Sequence, residues 1–320
     1  MIASGKMLIA SSLTALMLFL PGPAGHASQK AASEVHRSRE GVSWPQARFR
    51  PNHKGVNPFE TTLSPSTVGG LHQLWATPLG GDVGVSAPTV VNGVVYIGSF
   101  DHNVYALNAQ TGSILWATPT DDFEEATPAV SDGVVYAHSN GGTLYAMDAA
   151  TGHILWTSSP GHAVSSPTIA GNVVFVNGYF AVHAYDAQTG GELWTSGPID
   201  LAVNGPTVAD GRVFVADEGG IVSAFDQFTG ATIWQRPASH GESFQFSTPA
   251  ASGTRVFVSG EFSGTVYEFN AATGRPGWQV DLGTSGMDTS PAVSGHVVYL
   301  AGYGGDSAVY ALDASTGATL

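Results

Sequence analysis

Short β-strand patterns recur along most of the chain, and the first complete set lies between residues 85 and 118. Val85–Val91 leads into an Asn-Gly turn, Val94–Phe100 alternates apolar with small residues, Asn103–Leu107 follows a polar turn, and Ser113–Thr118 ends the set. A period of two predicts strands, and no helical period of 3.6 residues competes with it. Four antiparallel strands within about 40 residues are typical of one blade of a β-propeller.

The same set recurs, and each copy contains one shared motif. The motif occupies residues 106–116, 146–156, 184–194, 224–234, 268–278 and 311–320, and the last copy stops one residue before its Trp position. With Trp75 counted ahead of them, successive motif Trp residues are 41, 40, 38, 40 and 44 positions apart. We therefore predict an all-β propeller of four-stranded blades with six repeat units, at roughly residues 85–118, 125–158, 164–196, 203–236, 246–280 and 288–320.

Each conserved type of residue within these copies has a predicted role. The Asn or Asp can accept a backbone N–H inside the turn, and the Gly supplies the left-handed backbone that such hairpin loops need. The Trp begins the outer strand, where a ring that buries about 150–250 Å² can pack between adjacent blades. The predicted docking residues are Trp75, Trp116, Trp156, Trp194, Trp234 and Trp278.

The repeated pattern Ala-x-Asp-x-x-Thr-Gly-x-x-x-Trp resembles the tryptophan-docking motif of pyrroloquinoline-quinone (PQQ)-like propellers, the quinoprotein alcohol dehydrogenase-like superfamily. The resemblance covers residues 61–320. Members of this superfamily usually have seven or eight blades, within the general propeller range. Two arrangements stay open. The chain is either a truncated seven- or eight-bladed ring, or a six-bladed ring in which residues 71–78, with Trp75, supply the outer strand of the last blade.

Charge is distributed unevenly along the chain. Seven of the eleven Lys and Arg precede residue 55, whereas residues from 61 onward carry 22 Asp and Glu against four Arg. This excess of negative charge would repel a polyphosphate backbone, so we expect no nucleic-acid partner. The segment 28–60 has six basic and three acidic residues. We interpret it as an extended, solvated lead-in that lies outside the ring.

The N-terminus has the pattern of a signal peptide. Lys6 precedes a mainly apolar region of fourteen residues, Met7–Leu20, and Gly25-His26-Ala27 forms a small-x-small cleavage site. We predict cleavage after Ala27 and a secreted or periplasmic protein, expected to be a monomer. The apolar run is shorter than the about 20 residues that span a bilayer, so no membrane span is expected. There is no cysteine, so the fold must hold without disulfides.

The resemblance implies where chemistry would lie. Dehydrogenases of this superfamily bind PQQ at the mouth of the central channel with calcium or a lanthanide, a catalytic Asp, an Arg and a vicinal cysteine pair. This chain lacks Cys, and its residues by themselves assign no cofactor. Polar residues in the loops before each inner strand give three candidates for the channel mouth, Glu125, Asn204 and Asp288. The loop 121–125 would either contribute carboxylates to calcium or carry solvated charges.

Three functions follow from these patterns. The first is a non-catalytic binding or scaffold module that holds a protein or small-molecule ligand at its loops. The second is a PQQ-dependent alcohol dehydrogenase, or a fragment of one, that uses PQQ with calcium. The third is an extracellular ligand sensor.

Overall fold

The computed structural model describes residues 43–58, 64–84, 86–162, 165–238, 241–244, 246–284, 286–287, 289–302 and 308–320. The predicted signal peptide, residues 28–42 of the lead-in and the candidate Asp288 lie outside the described residues. The described chain is all-β, as predicted, with a single three-residue 3-10 turn at Val68–Gly70.

Twenty-three strands form six consecutive antiparallel sheets, each built from neighbours in sequence. The first sheet contains β1 (Thr89–Val91), β2 (Val94–Ser99), β3 (Asn103–Asn108) and β4 (Ile114–Pro119). The second contains β5 (Ala129–Ser131), β6 (Val134–His138), β7 (Leu144–Asp148) and β8 (Ile154–Ser158). The third contains β9 (Thr168–Ala170), β10 (Val173–Asn177), β11 (Val182–Asp186) and β12 (Glu192–Thr195).

The remaining three sheets repeat this order. The fourth contains β13 (Thr207–Ala209), β14 (Arg212–Ala216), β15 (Ile221–Asp226) and β16 (Thr232–Pro237). The fifth contains β17 (Ala250–Ser252), β18 (Arg255–Ser259), β19 (Thr265–Asn270) and β20 (Pro276–Asp281). The sixth has three strands, β21 (Ala292–Ser294), β22 (Val297–Ala301) and β23 (Val309–Asp313). The first strand of each sheet contacts the first strand of the next, and we call these six the inner strands.

The motif turn explains how one sheet attaches to the next. In the second sheet, Asp148 Oδ1 accepts the backbone N–H of Ala150 and Thr151 at 3.1 and 2.8 Å. Gly152 then adopts a φ of +74°, and the ring of Trp116 from the first sheet lies against it. A Cβ at this glycine would lie 2.8 Å from the Trp ring, so the position requires glycine for both backbone and space.

The apolar core lies between neighbouring sheets rather than within one. Phe175 and Val182 of the third sheet form one buried cluster with Val208 and Val213 of the fourth. Trp194 completes this cluster, with its ring centroid 5.8 Å from that of Phe175. Each sheet therefore buries its apolar face only when the next sheet is in place, which is the energetic rule of repeat proteins.

The lead-in is the main correction to the sequence analysis. We interpreted residues 28–60 as a solvated segment outside the ring, but residues 44–54 lie across all six inner strands. We call residues 44–54 the channel segment. It bonds the middle residue of every inner strand: Trp44 to Val90, Pro45 to Val130, the Gln46 side chain to Ile169, Pro51 to Val208, Asn52 to Ala251, and Lys54 to Val293. The channel segment supplies acceptors to inner-strand N–H groups that would otherwise be buried without one, which would cost free energy.

The six sheets are not closed into a ring. Residues 71–78 form no strand, although the Trp75 ring lies on Gly112 of the first sheet in the docking position. The sixth sheet correspondingly leaves its face open. Val309 is 78% exposed, whereas the matching Val104 of the first sheet is fully buried. The choice between the two arrangements therefore stays a prediction.

Candidate functional site

The loop before each inner strand carries, two positions ahead of a proline, one residue that we call a mouth residue. These residues are Ser86, Ala126, Ser165, Asn204, Ser247 and Thr289. Where the residue is polar, its side chain bonds the backbone of the residue twelve positions later, on the second strand of the same sheet. The bonds include Ser165 Oγ with the N–H of Asn177 at 2.9 Å, and Thr289 Oγ1 with the carbonyl of Ala301 at 2.6 Å. The polar mouth residues thus hold the entering loops to their sheets.

Asn204, a predicted cofactor contact, takes part in this pattern. Its Nδ2 donates to the carbonyl of Ala216, twelve residues later, at 2.8 Å and to that of Phe244 at 3.1 Å. Its own carbonyl accepts Asn177 Nδ2 at 2.6 Å. Through its backbone carbonyl and its side chain together, Asn204 therefore connects the third sheet, the fourth sheet and the loop before the fifth, and its amide donors are directed at protein carbonyls.

Glu125 and Asp288 are the other two predicted cofactor contacts. Glu125 is half-buried at the mouth of the second sheet, and Asp288 lies outside the described residues. Glu124, next to Glu125, is fully buried, although the sequence analysis weighed the whole loop only as calcium ligands or solvated charges. Burial, with Asp121 and Asp122 nearby, raises the Glu124 pKa well above its usual range.

The channel segment places a histidine at the centre of the site. His53 is fully buried between two inner strands, with Nδ1 3.0 Å from Thr207 Oγ1 and Nε2 3.1 Å from Thr168 Oγ1. Thr207 already donates its proton to the carbonyl of Pro249. Nδ1 must therefore carry the imidazole proton, and Nε2 accepts from Thr168. Burial, assisted by the nearby Arg48 charge, lowers the His53 pKa to about 3, so the ring is neutral at physiological pH.

Arg48 is a second residue of the channel segment that was not among the predicted site residues. Its Nε donates to the carbonyl of His53 at 2.9 Å, and its terminal nitrogens donate to the carbonyls of Ser290 and Pro291, just before the sixth sheet. Burial lowers the Arg48 pKa to about 10, which leaves the guanidinium charged. The basic composition of the lead-in gave no sign that this cation would bond the loop before the last inner strand.

These contacts test whether a quinone with its metal fits the channel. The channel segment fills the space between the inner strands at mid-height. It reaches nearly to the mouth, because a Cβ on Gly205, the residue after Asn204, would lie 3.5 Å from the His53 ring. Within the ranges that the structure describes, no three His, Asp or Glu side chains come together to hold a metal ion. The described residues therefore do not fit the quinone and metal that the resemblance implied.

Six antiparallel sheets, five of four strands and one of three, joined by a Trp on the glycine of the next motif, define a PQQ-like β-propeller repeat protein. The family model described as outer membrane protein assembly factor BamB matches residues 69–169, 157–258 and 218–320. The chain belongs to this family.

Two curated proteins are similar to parts of the chain. The outer membrane protein assembly factor BamB of Yersinia pestis is 34% identical over 114 residues, and the tetrathionate hydrolase of Acidithiobacillus ferrooxidans is 24% identical over 275 residues. The first match covers 33% of this chain and 28% of the relative, and the second covers 82% and 41%. The matched part is thus less than half of each relative.

Two solved structures share the fold. BamB from Moraxella catarrhalis has a TM-score of 0.59 at 24% identity and covers 75% of both chains. A quinohemoprotein alcohol dehydrogenase from Pseudomonas putida has a TM-score of 0.68 at 18% identity, covering 88% of this chain and 59% of its own. At these identities the likeness shows the fold alone. In the part of the chain that the structure describes, no helix has the length and apolarity needed to cross a bilayer.

Proposed function

We propose that this protein is a non-catalytic binding module that acts outside the cytoplasm and holds a protein partner through the loops of its sheets. The observation that supports it best is the channel segment. In the dehydrogenases that the sequence resembles, the quinone occupies the channel mouth. Here the chain's own residues 44–54 bond every inner strand next to that space, with His53 buried and Arg48 half-buried among them.

The hydrogen bonds of the mouth residues support the same proposal. Asn204 directs its amide at two protein carbonyls, and Ser165 and Thr289 hold their loops in place. A catalytic site requires groups aimed at a substrate, whereas these groups are aimed at the fold. Family membership points in the same direction, because the family model is described as an assembly factor. The leader-like residues 1–27 support a location outside the cytoplasm.

Equilibrium dialysis against PQQ, with and without calcium, tests the proposal. An apo quinoprotein dehydrogenase dialysed in parallel shows that the quinone is competent to bind. We expect this protein to retain no quinone in a calcium-dependent, saturable manner. Stoichiometric, calcium-dependent retention would contradict the proposal and favour the alternative, a PQQ-dependent alcohol dehydrogenase.

A further inference from the structure

A slot opens between the third and fourth sheets at the end of the molecule that carries the mouth loops. Its volume is about 350 Å³, at the lower end of the range for ligand pockets. Its lining residues are Phe180, Pro198, Ile199, Asp200, Asp217, Ile221 and Gln235. We call this cavity the Phe180 slot. Apolar and aromatic side chains form one part of its wall, and two carboxylates form another.

The two carboxylates converge on one point. A Cβ placed on Gly219 would lie 3.1 Å from Asp200 Oδ2 and 3.4 Å from Asp217 Oδ1. Asp217 is fixed, because its oxygens accept the backbone N–H of Ile221 at 2.9 Å and of Asp200 at 3.1 Å. Asp200 Oδ1 accepts the N–H of Leu201. Oδ2 of Asp200 is therefore directed toward the same region as the Asp217 carboxylate.

Neither carboxylate is balanced by a cation from the part of the chain that the structure describes. In the ranges that the structure describes, neither Asp200 nor Asp217 forms an ion pair with Lys, Arg or His. Arg236, which follows Gln235 in the chain, donates to the carbonyls of Gln235 and Thr273. Asp217 is almost fully buried. Two close carboxylates, one of them desolvated, attract a positive group that can reach them.

The aromatic wall determines which positive group fits best. Phe180 is 50% exposed and packs against Tyr179, with ring centroids 4.1 Å apart. A flat guanidinium stacks on an aromatic face and donates in a fork to carboxylate, whereas an ammonium is a strongly hydrated point charge. The slot therefore combines the two features that recognise an arginine side chain.

The surrounding surface determines the source of that arginine. Hairpins between second and third strands lie at the same end as the slot, and one of them exposes Phe262 to 65%. Arg212, Arg255 and Arg275 lie at the opposite end, at or near the turns that join first to second or third to fourth strands. An acidic end with exposed aromatic side chains complements a basic segment of another protein, because aromatic and Arg contacts dominate protein interfaces.

We propose that the Phe180 slot binds an arginine side chain of a protein partner, stacked on Phe180 and paired with Asp200 and Asp217. This inference rests on the proposed binding function and names the chemistry of the partner. The rest of the partner would lie across the neighbouring mouth loops.

The test uses the full chain and two short peptides, Ac-Ala-Arg-Ala-amide and the same peptide with uncharged citrulline. Ligand-observed NMR titration should give saturable binding of the arginine peptide with a Kd of about 1 mM, and at least fivefold weaker binding of the citrulline peptide. F180A and D200N should each weaken the arginine peptide by about five- to tenfold. Both side chains are exposed, so these changes leave the fold intact.

Matched controls lie at the opposite end of the molecule. Phe228 is 75% exposed in a turn between third and fourth strands, and Asp210 lies in a turn between first and second strands. F228A and D210N should leave arginine binding unchanged. The inference is overturned if the two peptides bind equally, if no saturation occurs up to about 10 mM, or if control variants weaken binding as much as the slot variants. Such a failure without quinone retention would leave the proposed binding function standing.

Discussion

Replacing Trp194 by alanine tests the statement that the sheets are held together by Trp docking. Trp194 is 8% exposed, lies on Gly230 of the fourth sheet and donates its indole N–H to the carbonyl of Gln227 at 3.0 Å. Its ring also packs on Phe175. The substitution removes one buried aromatic ring and one hydrogen bond between two sheets.

The expected cost follows from these contacts. Truncating a buried Phe or Trp to Ala costs about 3–5 kcal/mol, and about 1 kcal/mol of this comes from the lost hydrogen bond. Trp194→Phe keeps most of the ring and should cost about 1–2 kcal/mol. Leu193, the preceding residue on the same strand, is 53% exposed. Leu193→Ala should therefore cost under about 1 kcal/mol.

Urea denaturation followed by circular dichroism measures these differences, because Trp fluorescence would itself be altered by the substitution. The three variants should show midpoints in the order L193A, W194F and W194A, from most to least stable, with similar urea dependence of the unfolding free energy. A loss within about 0.5 kcal/mol for W194A, or a loss equal to that of L193A, would refute the docking argument.

Two further predictions concern pH and ring closure. The His53 pKa is about 3 in the folded chain and about 6.5 in the unfolded chain. Below about pH 6.5 the unfolded chain therefore binds a proton that the native chain lacks. Through this residue the unfolding free energy should fall by about 2–3 kcal/mol between pH 7.5 and 4.5. In H53Q the urea midpoint should change less with pH over this range, and an unchanged slope of midpoint against pH would contradict the prediction. For closure, His183 and Thr195 are cross-strand partners whose double Cys variant should oxidise to an intramolecular disulfide in this cysteine-free chain. Ala76 and Tyr310 are the equivalent pair for residues 71–78 and the sixth sheet, and their double Cys variant should form no intramolecular disulfide. A disulfide in the monomer of A76C/Y310C would instead show that residues 71–78 complete the sixth sheet.

The candidate site was less predictable than the fold, and particular residues show why. Asn204 was selected because a polar residue at a channel mouth suits ligand binding, but its amide is directed at Ala216 and Phe244. The structural role of Asn204 follows a repeated pattern. In several sheets the polar mouth residue bonds the backbone of the residue twelve positions later. Asp217 lies in a hairpin turn of the fourth sheet, and its contact with Asp200 depends on how that sheet packs against the loop before it.

The sequence by itself determined the repeat, the strands and their order. A period of two, a turn with Asp and Gly, and a Trp every 38 to 44 residues are local features, and they predict the strands without reference to distant contacts. Only the tertiary structure decided what fills the space between the sheets. The inner-strand N–H groups need hydrogen-bond acceptors, and residues 44–54 provide them. The charge of this segment had instead predicted exposure to solvent. His53 is buried and Arg48 half-buried because strands and loops up to 243 residues away in sequence surround them, and no local pattern encodes that arrangement.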